Sequence, residues 1–412
     1  MNFKTFLFAA SLLAITAQTA QAGGYQLNDY SVTGLGRSFA GAGIMGDDYS
    51  AIAYNPAGMT LMKRSGVQAG LTMVNLKSDI EGLGAAAGQK AKMDYYAPVP
   101  NFFAQYNLND KLSIGLGVYA PFGLKTDYKS NWFASNDAIL SKLDIIDIAP
   151  AVAYKITDKW SVGATFIARY IYGHMTNSLS PRVGGGKSDF ELDGWTVSGV
   201  LGTMYEFSPN TRVGFSWRMR STQQVKGDHE IYDNANPMFN QVGTGWASPA
   251  LPETFTLSAF HKYQKFGFSG TARWTHWSQS FPEFTMKSDT NLFNYPPIGL
   301  NGQKTSIYNY DNSWTLTAGV DYYHNNNWTF RAGTGWDESP AHNNANRTIR
   351  IPDNDRFWLS AGFSYMMENW QFDAGYTHMF ARTSKALEAG ATPVKYKNLR
   401  SNIFGGQIQY KF

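Results

Sequence analysis

The chain has 412 residues, no cysteine, 15% aromatics, 40 glycines and a formal net charge of +4. Without cysteine the fold must hold by hydrogen bonding and packing alone, and 35 Lys and Arg scattered among 31 Asp and Glu make no basic block for nucleic acid. After residue 22 no stretch is apolar for long enough to be a membrane helix, and the mean hydropathy is −0.33.

Residues 1–22 begin with Lys4, continue through an apolar run from Phe6 to Ile15 and end on the small residues Ala20 and Ala22. That is the pattern of a signal peptide removed on export, and the run is too short to anchor the chain in a bilayer. Residues 23–65 follow as a distinct segment. Within it Gly41-Ala42-Gly43-Ile44-Met45-Gly46 matches the dinucleotide fingerprint G-x-G-x-x-G, yet Thr60 to Asn75 holds no Asp or Glu to bind a ribose. The glycines read as close packing or tight turns. Ala51 to Met62, AIAYNPAGMTLM, is apolar but broken by Pro56 and Gly58, which suits a short helical piece capped around Asn55-Pro56.

From Gly66 onward apolar residues alternate with small or polar ones, as in Leu112, Ile114, Leu116 and Val118. This period of two predicts strands with one apolar face. They fall near 66–77, 99–108, 111–122, 144–156, 160–172, 194–207, 211–224, 252–263, 266–279, 312–323, 328–337, 355–366, 369–381 and 400–412. Short turns such as Asn109-Asp110, Thr157-Asp158-Lys159 and Asn325-Asn326-Asn327 alternate with long polar connections. A soluble sandwich does not sort its connections so strictly, whereas a transmembrane β-barrel with an even strand count does. Trp160, Trp195, Trp314, Trp328, Trp336 and Trp370 crowd the strand ends, where an interfacial girdle sits. The chain finishes on Phe412 with alternate apolar side chains, resembling the carboxyl-terminal signature that the barrel-assembly machinery recognises.

In the barrel register Asp147, Arg169, Glu206, Arg212, Arg218, Arg220, Lys262, Arg273, Asp321, Arg331 and Asp373 point into the lumen, where charge is tolerated. They either pair with one another and a plug or receive an anionic headgroup. The seven histidines show no metal spacing, so no metal or cofactor is expected. His229, between Asp228 and Glu230, is the one crowded candidate for a hydrolase centre, and a solvated loop explains it as well. Asp353-Asn354-Asp355 could hold calcium or form a polar hairpin tip. In the third strand the alternation breaks at Ala120-Pro121-Phe122-Gly123; proline cannot donate to a ladder, so Pro121 marks a bulge, a lost pairing or the strand's end.

Gly24-Tyr25-Gln26-Leu27-Asn28-Asp29-Tyr30, then Gly34-Leu35-Gly36-Arg37-Ser38-Phe39-Ala40-Gly41, Asp47-Asp48 and Asn55-Pro56-Ala57 closely resemble the start of the FadL family of outer-membrane transporters. Val99-Pro100-Asn101 through to Tyr119-Ala120-Pro121-Phe122-Gly123-Leu124 is similar to that family's second and third strands. The resemblance implies a fourteen-stranded barrel (66–412) plugged by a small helical hatch (23–65), in the outer membrane of a Gram-negative bacterium. It implies uptake of long-chain fatty acids or other hydrophobic compounds, through an outer apolar groove and a pocket near Gly23 and Tyr25. Pro121, Phe122 and Gly123 match the family's lateral gap, and Asn55, Pro56 and Ala57 its hatch motif. Trp132 and Phe133 in one outer loop and Phe239 in another offer apolar surface, and Arg169, Arg218 or Arg273 could meet a carboxylate. Lipopolysaccharide as a lipid neighbour and a monomeric state complete the expectation. Aromatic hydrocarbon uptake is the alternative substrate class, and a general water-filled porin the alternative function.

Overall fold

The computed structural model describes residues 24–179, 186–232, 240–291 and 301–412; residues 1–22, Gly23 and Phe239 lie outside them. Fourteen antiparallel strands form one closed wall. They are β1 (Gly66–Gly82), β2 (Lys90–Asn107), β3 (Leu112–Asp127), β4 (Leu140–Lys155), β5 (Trp160–Ser178) and β6 (Lys187–Ser208). Four interrupted strands follow: β7 (Thr211–Arg218, resumed at Val225–Tyr232), β8 (Gln241–Ala247 and Thr254–Tyr263), β9 (Phe266–Thr275 and Glu283–Ser288) and β10 (Gln303–Ile307 and Ser313–Tyr323). The last are β11 (Trp328–Asp337), β12 (Arg356–Met367), β13 (Trp370–Ala381) and β14 (Val394–Lys411). Each pairs with the next, and β14 returns to β1 from Gly66↔Lys411 to Gly82↔Val394. Closure gives every strand a neighbour on both sides along part of its length, as a bilayer requires.

Several strands run farther toward the long loops than alternation predicted: β1 to Gly82, β5 to Ser178, and β2, β6 and β14 from Lys90, Lys187 and Val394. Above the lipid band the outward residues turn polar, as in Lys77, Asp79 and Glu81, while the backbone ladder continues. The apolar signal ends there but the strand does not. Two expected strands are broken instead. β7 stops at Arg218, so Arg220 is exposed rather than lumenal, and β9 yields at Thr275 to a one-turn helix, Trp277–Ser280. Lys262, near the short-turn end, is also exposed.

Residues 24–62 fill the lumen and are buried almost throughout. This segment holds α1 (Val32–Leu35), whose Ser31 hydroxyl accepts from Gly34 N–H at 2.7 Å, and α2 (Ala51–Tyr54). A 3-10 turn, Pro56–Leu61, follows, with proline at its first position and the Asn55 side chain accepting from Ala57 N–H at 3.1 Å. Asn55 also donates to the carbonyls of Thr203 and Phe215, at 3.1 and 3.3 Å. A Cβ on Gly202 would stand 2.0 Å from the Asn55 amide oxygen, so the wall at this point must be glycine. Asn55-Pro56-Ala57 is thus seated against β6 and β7, away from any cleft.

Buried charges tie this plug to the wall. Arg37 donates to Asp47 at 2.6 and 3.1 Å and to Asp321 at 3.3 Å, and Arg331 lies 3.3 Å from Asp47. Burial alone would raise the Asp47 pKa, but Arg37 and Arg331 more than offset it and hold the carboxyl well below its ordinary range. Arg212 donates to the carbonyls of Ile44 and Met45. Breaking such a pair leaves an uncompensated buried charge, at a cost of about 3–5 kcal/mol. Arg37→Met is therefore expected to weaken the plug far more than the barrel: amide exchange in residues 24–62 should rise by orders of magnitude while the strand ladders stay protected. Equal protection in both proteins would show the network to be dispensable.

Candidate functional site

β2 and β3 pair only from Phe102↔Val118 to Asn107↔Ser113. Above Val118, β2 stays on β1 while β3 leaves it. Pro121 has no N–H to give, and the β3 register with β4 jumps from Tyr119↔Asp147 to Phe122↔Ile145, one extra residue on the β3 side. The displaced strand finds a new partner in the start of the plug. Leu27 N–H donates to Pro121 O at 2.9 Å, Gly123 N–H donates to Tyr25 O at 3.0 Å, and Gln26 bridges Phe122. The wall opening between β2 and β3 is crossed by the Tyr95 hydroxyl, which donates to the Lys125 carbonyl.

Tyr25 is wedged among aromatics, 5.0 Å from Trp277, 5.5 Å from Phe281 and 5.9 Å from Phe122 between ring centroids. Gly24 has φ +73° and a Cβ there would lie 2.9 Å from the Trp277 ring, so only glycine fits. Its N–H donates to Asp353 Oδ2 at 3.0 Å, and Asp353 also accepts from Ser339 at 2.7 Å and pairs with Arg356. Asp353-Asn354-Asp355 is therefore a brace for the start of the plug, its carboxylates occupied by protein donors.

Beside Tyr25 opens an apolar cleft lined by Leu124, Leu143, Ile171, Leu192, Val225 and Phe281 among others. Its polar element is Arg350, from the loop between β11 and β12. The guanidinium donates to Asp137 O at 2.7 Å, Ser141 Oγ at 2.9 Å and Leu140 O at 3.1 Å. These acceptors are neutral and orient the cation; the carboxylates of Glu388 and Asp137 act on it as well, yet burial prevails and lowers its pKa. Lys142 also borders the cleft, but its ammonium is held by Asp144 at 2.9 Å.

Of the residues singled out in the sequence, Tyr25 lines this cleft, while Gly23 and Phe239 lie outside the described residues. Arg169 and Arg218 sit a layer below, sharing Asp147 at 2.7 and 3.3 Å, and Arg273 donates to Asn28. Arg218 also reaches Ala53 O at 2.8 Å, so Arg218 and Arg273 serve the plug while Arg169 is held by the wall residues Asp147 and Ser221. Trp132 stacks on Tyr128 at 4.1 Å and donates to Ala138 O, with Phe133 against it, closing the loop upon itself by β1 and β14. His229 is 1% exposed, its ring nitrogens facing the hydroxyls of Ser188, Ser288 and Thr290. No substrate can reach it there. Arg350 and Phe281 were missed because both lie on irregular segments whose apolar residues carry no period.

An apolar exterior, a sealed lumen and a hydrophobic cleft beside a break in the wall together define an outer-membrane transport channel. The chain belongs to the outer membrane protein transport family (OMPP1/FadL/TodX), which it matches over residues 13–412. It is 28% identical to the long-chain fatty acid transport protein of Escherichia coli O6:H1 over 464 aligned positions, covering 100% of both chains. Its fold is similar to that of a Pseudomonas aeruginosa FadL homologue, with TM-score 0.83 and 22% identity over 94% of this chain and 100% of the other. The Pseudomonas putida toluene transporter TodX shares the fold at TM-score 0.68 and 16% identity, over 89% and 94% of the two chains.

Asp29, in the plug segment that leads from Tyr25 to α1, is 2% exposed, and its Oδ1 has no hydrogen-bond partner among the described residues. Burial raises its pKa to about 7. A carboxyl raised on folding contributes most below its unfolded value and loses that contribution as pH rises through the folded value. The upper plug should therefore loosen between about pH 4 and 7. Amide exchange of residues 24–30, corrected for intrinsic rate, should show this loss, and Asp29→Asn should abolish the pH dependence; a variant with the unchanged profile would acquit Asp29.

Proposed function

We propose that this protein takes up long-chain fatty acids or similarly apolar small molecules, as a channel rather than an enzyme, and releases them sideways into the bilayer. The observation that carries this reading is that Tyr25 both lines the cleft and, through its carbonyl, holds the displaced part of β3. A ligand that shifts Tyr25 acts directly on the wall opening. Each buried CH2 is worth about 0.8 kcal/mol, so an acyl chain gains by passing from cleft to membrane without meeting periplasmic water. Arg350 is placed to receive the carboxylate by charge-assisted hydrogen bonds. A general porin fits poorly with a lumen filled by residues 24–62. Neutral aromatic hydrocarbons remain a second reading, favoured by the ring cluster of Tyr25, Trp277 and Phe281. Phe412, exposed at the end of β14, is free to engage the barrel-assembly machinery.

Binding and uptake of labelled oleate and toluene, with the protein supplied to a strain lacking it, separate these readings. Arg350→Met should weaken oleate binding about tenfold or more and leave toluene unaffected. Deleting Pro121 removes the extra residue, lets β3 rejoin β2, and should stop uptake while binding persists. Uptake at the parental rate would rule out the lateral route, and permeation by small sugars without saturable oleate binding would rule out the function.

A further inference from the structure

The upper outer wall is charged unevenly. Where β2, β1 and β14 run side by side, three successive outward rows read Asp94–Lys77–Arg400, Lys92–Asp79–Lys397 and Lys90–Glu81–Lys395. Six cations thus stand with three carboxylates on one face. From strand spacing and rise this grid is about 10 Å wide and about 14 Å tall. Only part of it is internally neutralised: Lys77 meets Asp94 at 3.0 Å and Lys397 meets Glu81 at 2.7 Å. Asp79 accepts from Asn398, and Lys90, Lys92, Lys395 and Arg400 have no ion-pair partner among the described residues. On the far wall the corresponding rows of β6 and β7 read Asp193–Lys226, Glu191–Asp228 and Asp189–Glu230, five carboxylates to one cation. The basic strip is a local feature and not a general coating.

Its position gives it a partner. Directly below lie the row Tyr96–Asn75–Asn402 and then Pro98–Met73–Phe404, where the lipid-facing apolar band begins. A molecule on this face meets cations at the headgroup level and apolar side chains beneath. We propose that the outward face of β14, β1 and β2 is a docking site for a phosphorylated, multiply acylated lipid of the outer leaflet, with its phosphates on the cation grid and its acyl chains on Met73, Leu71 and Phe404. Lys90, Lys92, Lys395 and Arg400 supply the charge-assisted donors, and the carboxylates at the centre space them apart. A soluble anion would satisfy the upper half of the site only.

The test uses the full barrel in detergent and native mass spectrometry with bis-phosphorylated hexa-acyl lipid A, against the same lipid stripped of phosphate. The wild-type protein should retain the phosphorylated lipid at least about tenfold more tightly, and inorganic phosphate at millimolar concentration should not displace it. Lys90→Ser, Lys92→Ser and Lys395→Ser combined should erase the preference, whereas Lys226→Ser on the far wall should keep it; the heat-dependent gel shift of folded barrels verifies each variant. Equal retention of the two lipids by the wild-type protein would overturn the proposal without recourse to any variant. So would an unchanged preference in the folded triple variant, and displacement by inorganic phosphate would overturn the lipid as occupant.

Discussion

The exchange of backbone partners at Pro121 is the constraint on which the rest depends. A bilayer leaves no water to satisfy a free N–H or C=O, so a barrel strand that abandons its neighbour must find another partner at once. β3 finds it in Tyr25, Gln26 and Leu27. That substitution has two consequences. It lets β3 part from β2 without orphaning the β3 backbone around Pro121, and it places the start of the plug at the level of the outer loops rather than at the short-turn end. The cleft then follows, because Leu124 beyond the bulge and Tyr25 opposite it form adjoining parts of its lining.

The plug is held by different physics at its two ends. Its middle and lower parts are fixed by buried ion pairs, by Arg212 and Arg218 on plug carbonyls, and by Asn55 inserted against glycine. Its upper end is held by backbone hydrogen bonds to β3, by ring contacts around Tyr25, by Asp353 on Gly24, by Thr275 on Gln26 and by Arg273 on Asn28. Net hydrogen-bond contributions are about 1 kcal/mol each, whereas an uncompensated buried charge costs several times that. Residues 24–27 are thus the more weakly tied end of the plug.

Strand number and handling of the lumen were legible because they rest on a period of two and on the intolerance of lipid for charge. Alternation located fourteen strands, and Asp147, Arg169, Arg212, Asp321 and Arg331 are lumenal as parity required. Parity could say which face a cation occupies but not what it meets there. Arg169, Arg218 and Arg273 were open to a headgroup by sequence and are engaged by Asp147, Ala53 and Asn28, partners distant in the chain. Trp132 and Phe133 were legible as apolar loop surface, yet whether a loop packs on itself or on a ligand depends on Tyr128 and Ile349 lying nearby. Arg350 carries no local signature at all. It becomes a site residue only because Asp137, Leu140 and Ser141 converge on it from the β3–β4 connection.

The outer wall adds a boundary condition to the opening. β2 is shared between two features: its inward Tyr95 spans the opening to Lys125, and its outward Lys90, Lys92 and Asp94 belong to the charged rows beside β1. Above Val118 the strand is paired on one side only, so its position against β3 rests on side-chain contacts such as Tyr95 with Lys125 and Phe103 with Tyr119, and on whatever covers its outer face. A lipid headgroup braced across β14, β1 and β2 would stiffen the strand that forms one lip of the opening, while the other lip is governed by Tyr25 from within. The two lips then answer to different surroundings, one to the membrane and one to the cleft.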